Sequence, residues 1–393
     1  MGSPRRFLLL VILLAVLIGP SHAASPASAP EDIRLPITEH TLKNGMRFLI
    51  VERHDSPTFA AYLRVQVGSV NETPGLTGMA HLPEHMMFKG TTLFGTLDPE
   101  RELPILDKID ARYRVLQAEK AKGNLPGGTA DAAAVAALEK ETAALEAEAR
   151  QCIVPNELWE IYRRNGGVRL NASTSREGTQ YFMSLPSNRL ELWALLESDR
   201  MRNPVFREFH AEREVVQEER RQRVDTNPRG QLLEAALATA FVALPYRHPV
   251  IGWPNELENL TRPQAREFFR TYYAPNNVLA VLVGDLDPAA VIRMVERYFG
   301  SIPAQPIPPP LPLEEPPQPG ERRIRVEFPG DWRFAFEERK MIQAITAEEV
   351  ITAAKRYLLP RYRTVAWLVR GQTPAFPPLV RRDRPALQPW ETN

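Results

Sequence analysis

The run His81-Leu82-Pro83-Glu84-His85 constrains this chain more than any other stretch of its 393 residues. His81 and His85 stand four apart. On a helix that spacing puts both imidazoles on one face, a turn apart, where they can grip one metal ion. Glu84 flanks the same ion without having to ligate it, and its carboxylate can take a proton from a water on that ion. The chain has seven histidines, and a pair at this spacing taken alone reads equally as core or surface side chains. Pro83 deletes one backbone hydrogen bond, which predicts a helix that bends near the metal.

The longer segment Gly78 to Thr91 adds the tail Met86-Met87-Phe88-Lys89-Gly90-Thr91. Together they closely resemble the active-site helix of the pitrilysin/insulinase family of zinc metallopeptidases, whose pattern is H-x-x-E-H. In that family a third zinc ligand is a Glu seven residues after another Glu on a distant helix. Glu212 and Glu219 match, and residues seven apart share a helical face. The resemblance implies Glu219 as the third ligand and Glu212 as a supporting carboxylate. Glu218 points about 100° away; it is the ligand in the alternative frame, which the sequence leaves open. Gly166 to Ser175 resembles the family's Gly-Gly then Asn-Ala-x-Thr strand. The resemblance implies that Asn171, Ala172, Ser173 and Thr174 pair with an extended peptide substrate, and that Asn171 braces a ligand histidine. His248, in a further stretch resembling the family, is disfavoured as a fourth ligand, because a catalytic zinc keeps one position open.

Arg5 and Arg6, the apolar run Phe7–Ile18 and the small residues Ser21-His22-Ala23 have the form of a secretory signal. The apolar run is short of the roughly 20 residues that span a bilayer. The expectation is an exported protein, periplasmic or extracellular, with no membrane span after cleavage; an uncleaved anchor is the alternative. The single cysteine, Cys152, can form no internal disulfide and reads as a small core side chain. Acids and bases nearly cancel, 48 against 49, which argues against a nucleic-acid partner.

The signal covers 1–23 and a flexible leader 24–37. A zinc peptidase domain spans 38–302. Asn44-Gly45 turns into a strand at 46–51, and Ala60–Val67 alternates as another. Residues 100–150 read as an inserted helical hairpin, with Leu103, Leu106, Ile109, Tyr113 and Leu116 at helical spacing and Gly123–Gly128 as its break. Helices are expected at Arg262–Tyr272 and Pro288–Phe299, around a buried strand near Val278. Nine prolines in 303–319 mark a linker, taken as 303–320. Residues 321–370 resemble only the start and end of the family's second domain, and 371–393 reads as a disordered tail. The fold class is α+β, a mixed, mainly antiparallel sheet covered by helices.

The expected function is a zinc endopeptidase holding one Zn2+ per chain, acting on a peptide or protein substrate with Glu84 as general base. The shortened second half motivates a different reading, a non-catalytic or partner-dependent zinc-binding subunit, in a homo- or hetero-oligomer with a related chain.

Overall fold

A computed structural model describes residues 35–123, 128–309, 314–326, 346–348 and 350–352. The signal-like segment, most of the leader, most of the partial second domain and the tail lie outside the described residues. The chain divides into two units, Met1–Glu327 and Phe328–Asn393; the first carries every element named below.

Six strands form one sheet: β1 (Ile37–Thr41), β2 (Arg47–Glu52), β3 (Thr58–Val65), β4 (Val168–Thr174), β5 (Thr179–Pro186) and β6 (Val278–Gly284). Their order is β1-β2-β6-β3-β5-β4. Only β2 and β6 run parallel; every other neighbour is antiparallel. The mixed, mainly antiparallel sheet expected from sequence is therefore what forms. β5 buries Thr179, Tyr181, Met183 and Leu185, every second residue, and β6 buries Val278, Ala280 and Leu282. That period of two turns one face to the core. β4 closes the sheet, and its outer edge is unpaired among the described residues. Its pairing slips between Val168 and Asn171, where Arg169 takes a left-handed φ of 60°, so a bulge bends the strand.

Ten helices follow in chain order among the described residues: α1 (His81–Met86), α2 (Pro99–Lys122), α3 (Ala132–Arg150), α4 (Glu157–Arg164), α5 (Leu190–Arg202), α6 (Phe209–Arg220), α7 (Pro228–Ala240), α8 (Pro254–Asn259), α9 (Arg262–Tyr272) and α10 (Pro288–Phe299). Local chemistry sets several starts. Asp98, Asp131 and Asp287 accept from the first free N–H groups of α2, α3 and α10, and Thr261 with Gln264 closes a capping box on α9. Phe48, Phe59, Trp193, Phe206, Val216 and Phe299 meet in one core between sheet and helices.

The hairpin α2–α3 is present, and it is docked. Ile105, Leu106, Ile109 and Ala149 bury against Val205. Leu103, expected inward, is 38% exposed, and Ile105 takes its place. Arg262, at the start of α9, pairs with Asp107 at 2.9 Å and Asp110 at 2.8 Å. Fully buried Arg207 donates to Glu102 of α2 at 2.7 Å, and to the carbonyls of Lys89 and Thr91. One guanidinium thus ties the loop after α1 to the hairpin. Gly90 and Gly95 leave room for it: a Cβ at either would lie 2.7 or 2.6 Å from Arg207 Nη1, and both have left-handed φ.

Candidate metal centre

Two buried or half-buried carboxylates prepare the turn before α1. Glu72 accepts from Gly78 N at 3.1 Å and Ala80 N at 2.6 Å. Glu256 accepts from Gly75 N, Thr77 N and the Thr77 hydroxyl. They satisfy backbone N–H groups of the turn that leads into α1, that of the capping residue Ala80 included. Pro83 is the third residue of α1, in its first turn, where a proline is tolerated because its missing N–H costs little.

α1 presents His81, Glu84 and His85, and α6 presents Glu212 and Glu219, so both pairs of turns face each other. Glu219 Oε2 lies 3.8 Å from His81 Nε2 and 3.5 Å from His85 Nε2. Ligand atoms on a tetrahedral zinc, at bonds of about 2.0–2.1 Å, stand about 3.3 Å apart. The donor set is two imidazoles and a carboxylate, all three ligand atoms within 4.8 Å of one another. Residues and spacing therefore fit such an ion. Glu218 turns away, bonded to Arg221 at 2.7 Å and exposed, so the alternative frame does not reach the site.

The surroundings aim the ligand atoms. His85 Nδ1 donates to Glu212 Oε1 at 2.8 Å, which aims Nε2 at the site, where it offers a lone pair once the ring gives up its proton. Lys89 Nζ holds the other Glu212 oxygen at 2.7 Å. Burial opposes charge on Glu212, but His85 and Lys89 outweigh it and hold the carboxyl down at about 2. Burial likewise opposes charge on His85, yet Glu212 and Glu219 lift it to about 9. Burial, then the neighbouring His85 charge, pushes His81 down to about 4. Without metal, one proton therefore resides mainly on His85. Arg223, in the single π turn Arg221–Asp225 after α6, donates to Glu219 Oε1 at 2.7 Å and leaves Oε2 to face the histidines.

Glu84 is buried and accepts from the Thr174 hydroxyl of β4. Burial raises its carboxyl above the ordinary range, and the Thr174 bond moderates this. Asn171 also borders the site, but it does not brace a histidine. Its Oδ1 accepts from the adjacent Ala172 N at 2.9 Å, and His81 Nδ1 stays buried without a partner among the described residues. His248 is not grouped with the three donors; it lines the cleft with Nδ1 3.6 Å from Glu72 Oε2. Cys152 is buried, as a small core side chain would be. Sequence reasoning missed Arg223, although its place four residues after Glu219 was a usable signal. It also missed the Thr174–Glu84 contact, which no spacing announces.

A cleft of about 570 Å³ opens beside these groups, with Asn171–Thr174 of the sheet edge along one wall. No helix among the described residues is long and apolar enough to cross a membrane.

Known proteins give the same picture. A family model described as insulinase (peptidase family M16) matches residues 47–102 and 153–252, passing over most of the hairpin. One described as the M16 inactive domain matches 259–335. The zinc protease PqqE of Helicobacter pylori is 29% identical over 84% of this chain and 60% of its own length. The probable zinc protease PqqL of Escherichia coli is 26% identical over 76% of this chain and 26% of its own. A solved Helicobacter pylori protease superposes with a TM-score of 0.54 at 27% identity, covering 72% of this chain and 55% of that one. The chain thus spans about 60% or less of the length of these relatives. The two matched models together take in more than half of its residues, and the chain belongs to the insulinase family of peptidases, M16.

Proposed function

We propose that this chain is a zinc-dependent endopeptidase, with His81, His85 and Glu219 as ligands of one Zn2+ and Glu84 as general base. The observation that carries it is the convergence of Glu219 Oε2 on both Nε2 atoms, with Glu84 buried beside them. Zinc, when bound, supplies a Lewis acid that acidifies water and polarises a carbonyl. The chain's own groups do the rest. Glu84 takes the proton of the attacking water and later delivers it to the leaving amine; its raised affinity for a proton suits both steps. Thr174 fixes the carboxylate's direction through its hydroxyl. Glu212 and Arg223 keep His85 and Glu219 pointed at the ion. The free edge of β4 offers N–H and C=O groups for an extended peptide, placing Asn171–Thr174 along the substrate.

Both names given above describe zinc proteases, which supports a peptide or protein substrate. An exported location is part of the same reading and rests on the signal-like residues 5–23. Glu84→Gln tests the base. The amide keeps the shape and all three ligands, so zinc content should stay at one per chain. Hydrolysis should fall by about 10²–10⁴, the usual worth of a positioned acid–base group. A Gln variant that cleaves as fast as the parent would remove Glu84 from the role. A chain relying on a related partner for its second half would turn over poorly alone and faster when that partner is added.

A further inference from the structure

Beside the metal centre, the cleft holds a cation with no counter-ion among the described residues. Arg176 belongs to the turn from β4 to β5, two residues beyond Thr174. Its backbone is pinned. Val70 N donates to Arg176 O at 3.0 Å, and Ser69 N to Ser175 O at 3.3 Å. Gly68 packs so closely that a Cβ there would lie 2.3 Å from Arg176 O. The side chain is placed as well: its guanidinium carbon lies 5.7 Å from the centroid of the Tyr246 ring. The Tyr246 hydroxyl donates to Glu177 and fixes that platform. Arg176 lines the cleft shared by His81, Glu84 and Glu219.

The charges around it are otherwise satisfied. Glu219 is taken by Arg223, Glu234 by Arg220 at 2.8 Å, Glu84 by Thr174, and Glu177 by Tyr246. Arg176 Nε is buried and has no hydrogen-bond partner among the described residues. Two further cationic or donor groups border the same cleft. Arg247 donates to the carbonyl of Val242 at 3.3 Å, and His248 Nδ1, 3.6 Å from Glu72 Oε2, is buried without a hydrogen bond among the described residues. A half-buried guanidinium held rigidly without an anion is costly, and an arriving carboxylate removes that cost through charge-assisted hydrogen bonds. Packing on Tyr246 alone would account for the stacking but not for the uncompensated charge at the cleft wall.

We propose that Arg176, carried on Tyr246, is a subsite for a carboxylate side chain of the substrate, so that this cleft selects acidic peptides. The inference rests on the peptidase reading above and specifies its substrate class. A peptide extended along β4 advances about 3.3–3.6 Å per residue. Arg176 lies two residues past Thr174, so the recognised Asp or Glu falls about two to three positions from the bond cleaved.

The test uses the zinc-loaded full chain carrying Glu84→Gln, which binds without hydrolysing. Fluorescent peptide pairs, alike except for Glu against Gln at one position within three of the target bond, are titrated by polarisation. Turnover of the same pairs is measured with Glu84 intact. At one position Glu should bind about tenfold more tightly than Gln, a factor that shrinks as salt screens the pair. Arg176→Ala should bring the ratio toward one, Arg176→Lys should keep part of it, and Arg176→Glu should favour Lys at that position. A Glu/Gln ratio that is the same in the parent and in Arg176→Ala at every position overturns the subsite. Selective binding without turnover by the Glu84 protein leaves the subsite standing and sinks the peptidase reading. Binding of no peptide at all overturns both.

Discussion

Replacing Glu212 by Gln sets two effects of one carboxylate against each other, and pH separates them. Glu212 holds His85 Nδ1 at 2.8 Å, so its loss loosens a proposed ligand. Removing such a partner typically weakens metal binding 10–100-fold. The same carboxylate, with Glu219, lifts metal-free His85 to about 9, although burial opposes it. A ligand must give up its proton before binding metal. At pH 7, about two units below that value, proton competition therefore costs the parent about 100-fold, or about 2.7 kcal/mol. In Glu212→Gln the charge is gone, the His85 pKa falls, and most of that competition disappears. The expected result is zinc affinity within about tenfold of the parent at pH 7, and 10–100-fold weaker at pH 9. Chelator competition between pH 6.5 and 9 reads it directly: the parent rises about tenfold per pH unit, and the variant flattens earlier. A ratio that stays constant across that range would refute the reasoning.

Two further outcomes concern the scaffold. Glu102→Gln leaves the fully buried Arg207 without its anion and should destabilise the protein by about 3–5 kcal/mol, with a matching drop in Tm; a loss under about 1 kcal/mol would contradict the role of that pair. His210, buried between Tyr113 and Phe209, is pushed by burial and then by Arg213 and Arg262 from 6.5 to about 3. Its folded value lies below its unfolded one, so the stabilisation is complete above about pH 6.5 and is lost as pH falls toward 3. The loss at pH 5 is about 2 kcal/mol. His210→Phe should make the acid limb of a denaturation series shallower, and an unchanged limb would dismiss the assignment.

Legibility in the sequence followed how local the physics was. α9 and α10 carry their own signals, Thr261 with Gln264 and Asp287 before Pro288, and both span the expected residues. The hairpin was readable from apolar spacing and the break after Lys122, although Pro104 inside α2 coincides with a shift of the buried face from Leu103 to Ile105. Pairing of β2 with β6 joins Arg47 to Leu279 across the whole unit, and no local pattern encodes it. At the site, the histidine pair and the Glu212–Glu219 spacing were visible because helices repeat. The bond from Ala172 N to Asn171 Oδ1 has no spacing signal. Thr174 on Glu84, Arg223 on Glu219 and Arg176 over Tyr246 depend on which elements meet, and so appear only in three dimensions.

The most direct measurement is zinc content and affinity of the purified chain, compared with His85→Ala and Glu219→Gln at pH 8. The account predicts one tightly held zinc per parent chain. It predicts loss of that ion in His85→Ala and at least tenfold weaker binding in Glu219→Gln, since each removes one of three converging donors. Glu218→Gln, altering the neighbouring carboxylate that points away, should leave the ion in place. Equal zinc in the parent and in His85→Ala would contradict the assignment of this site.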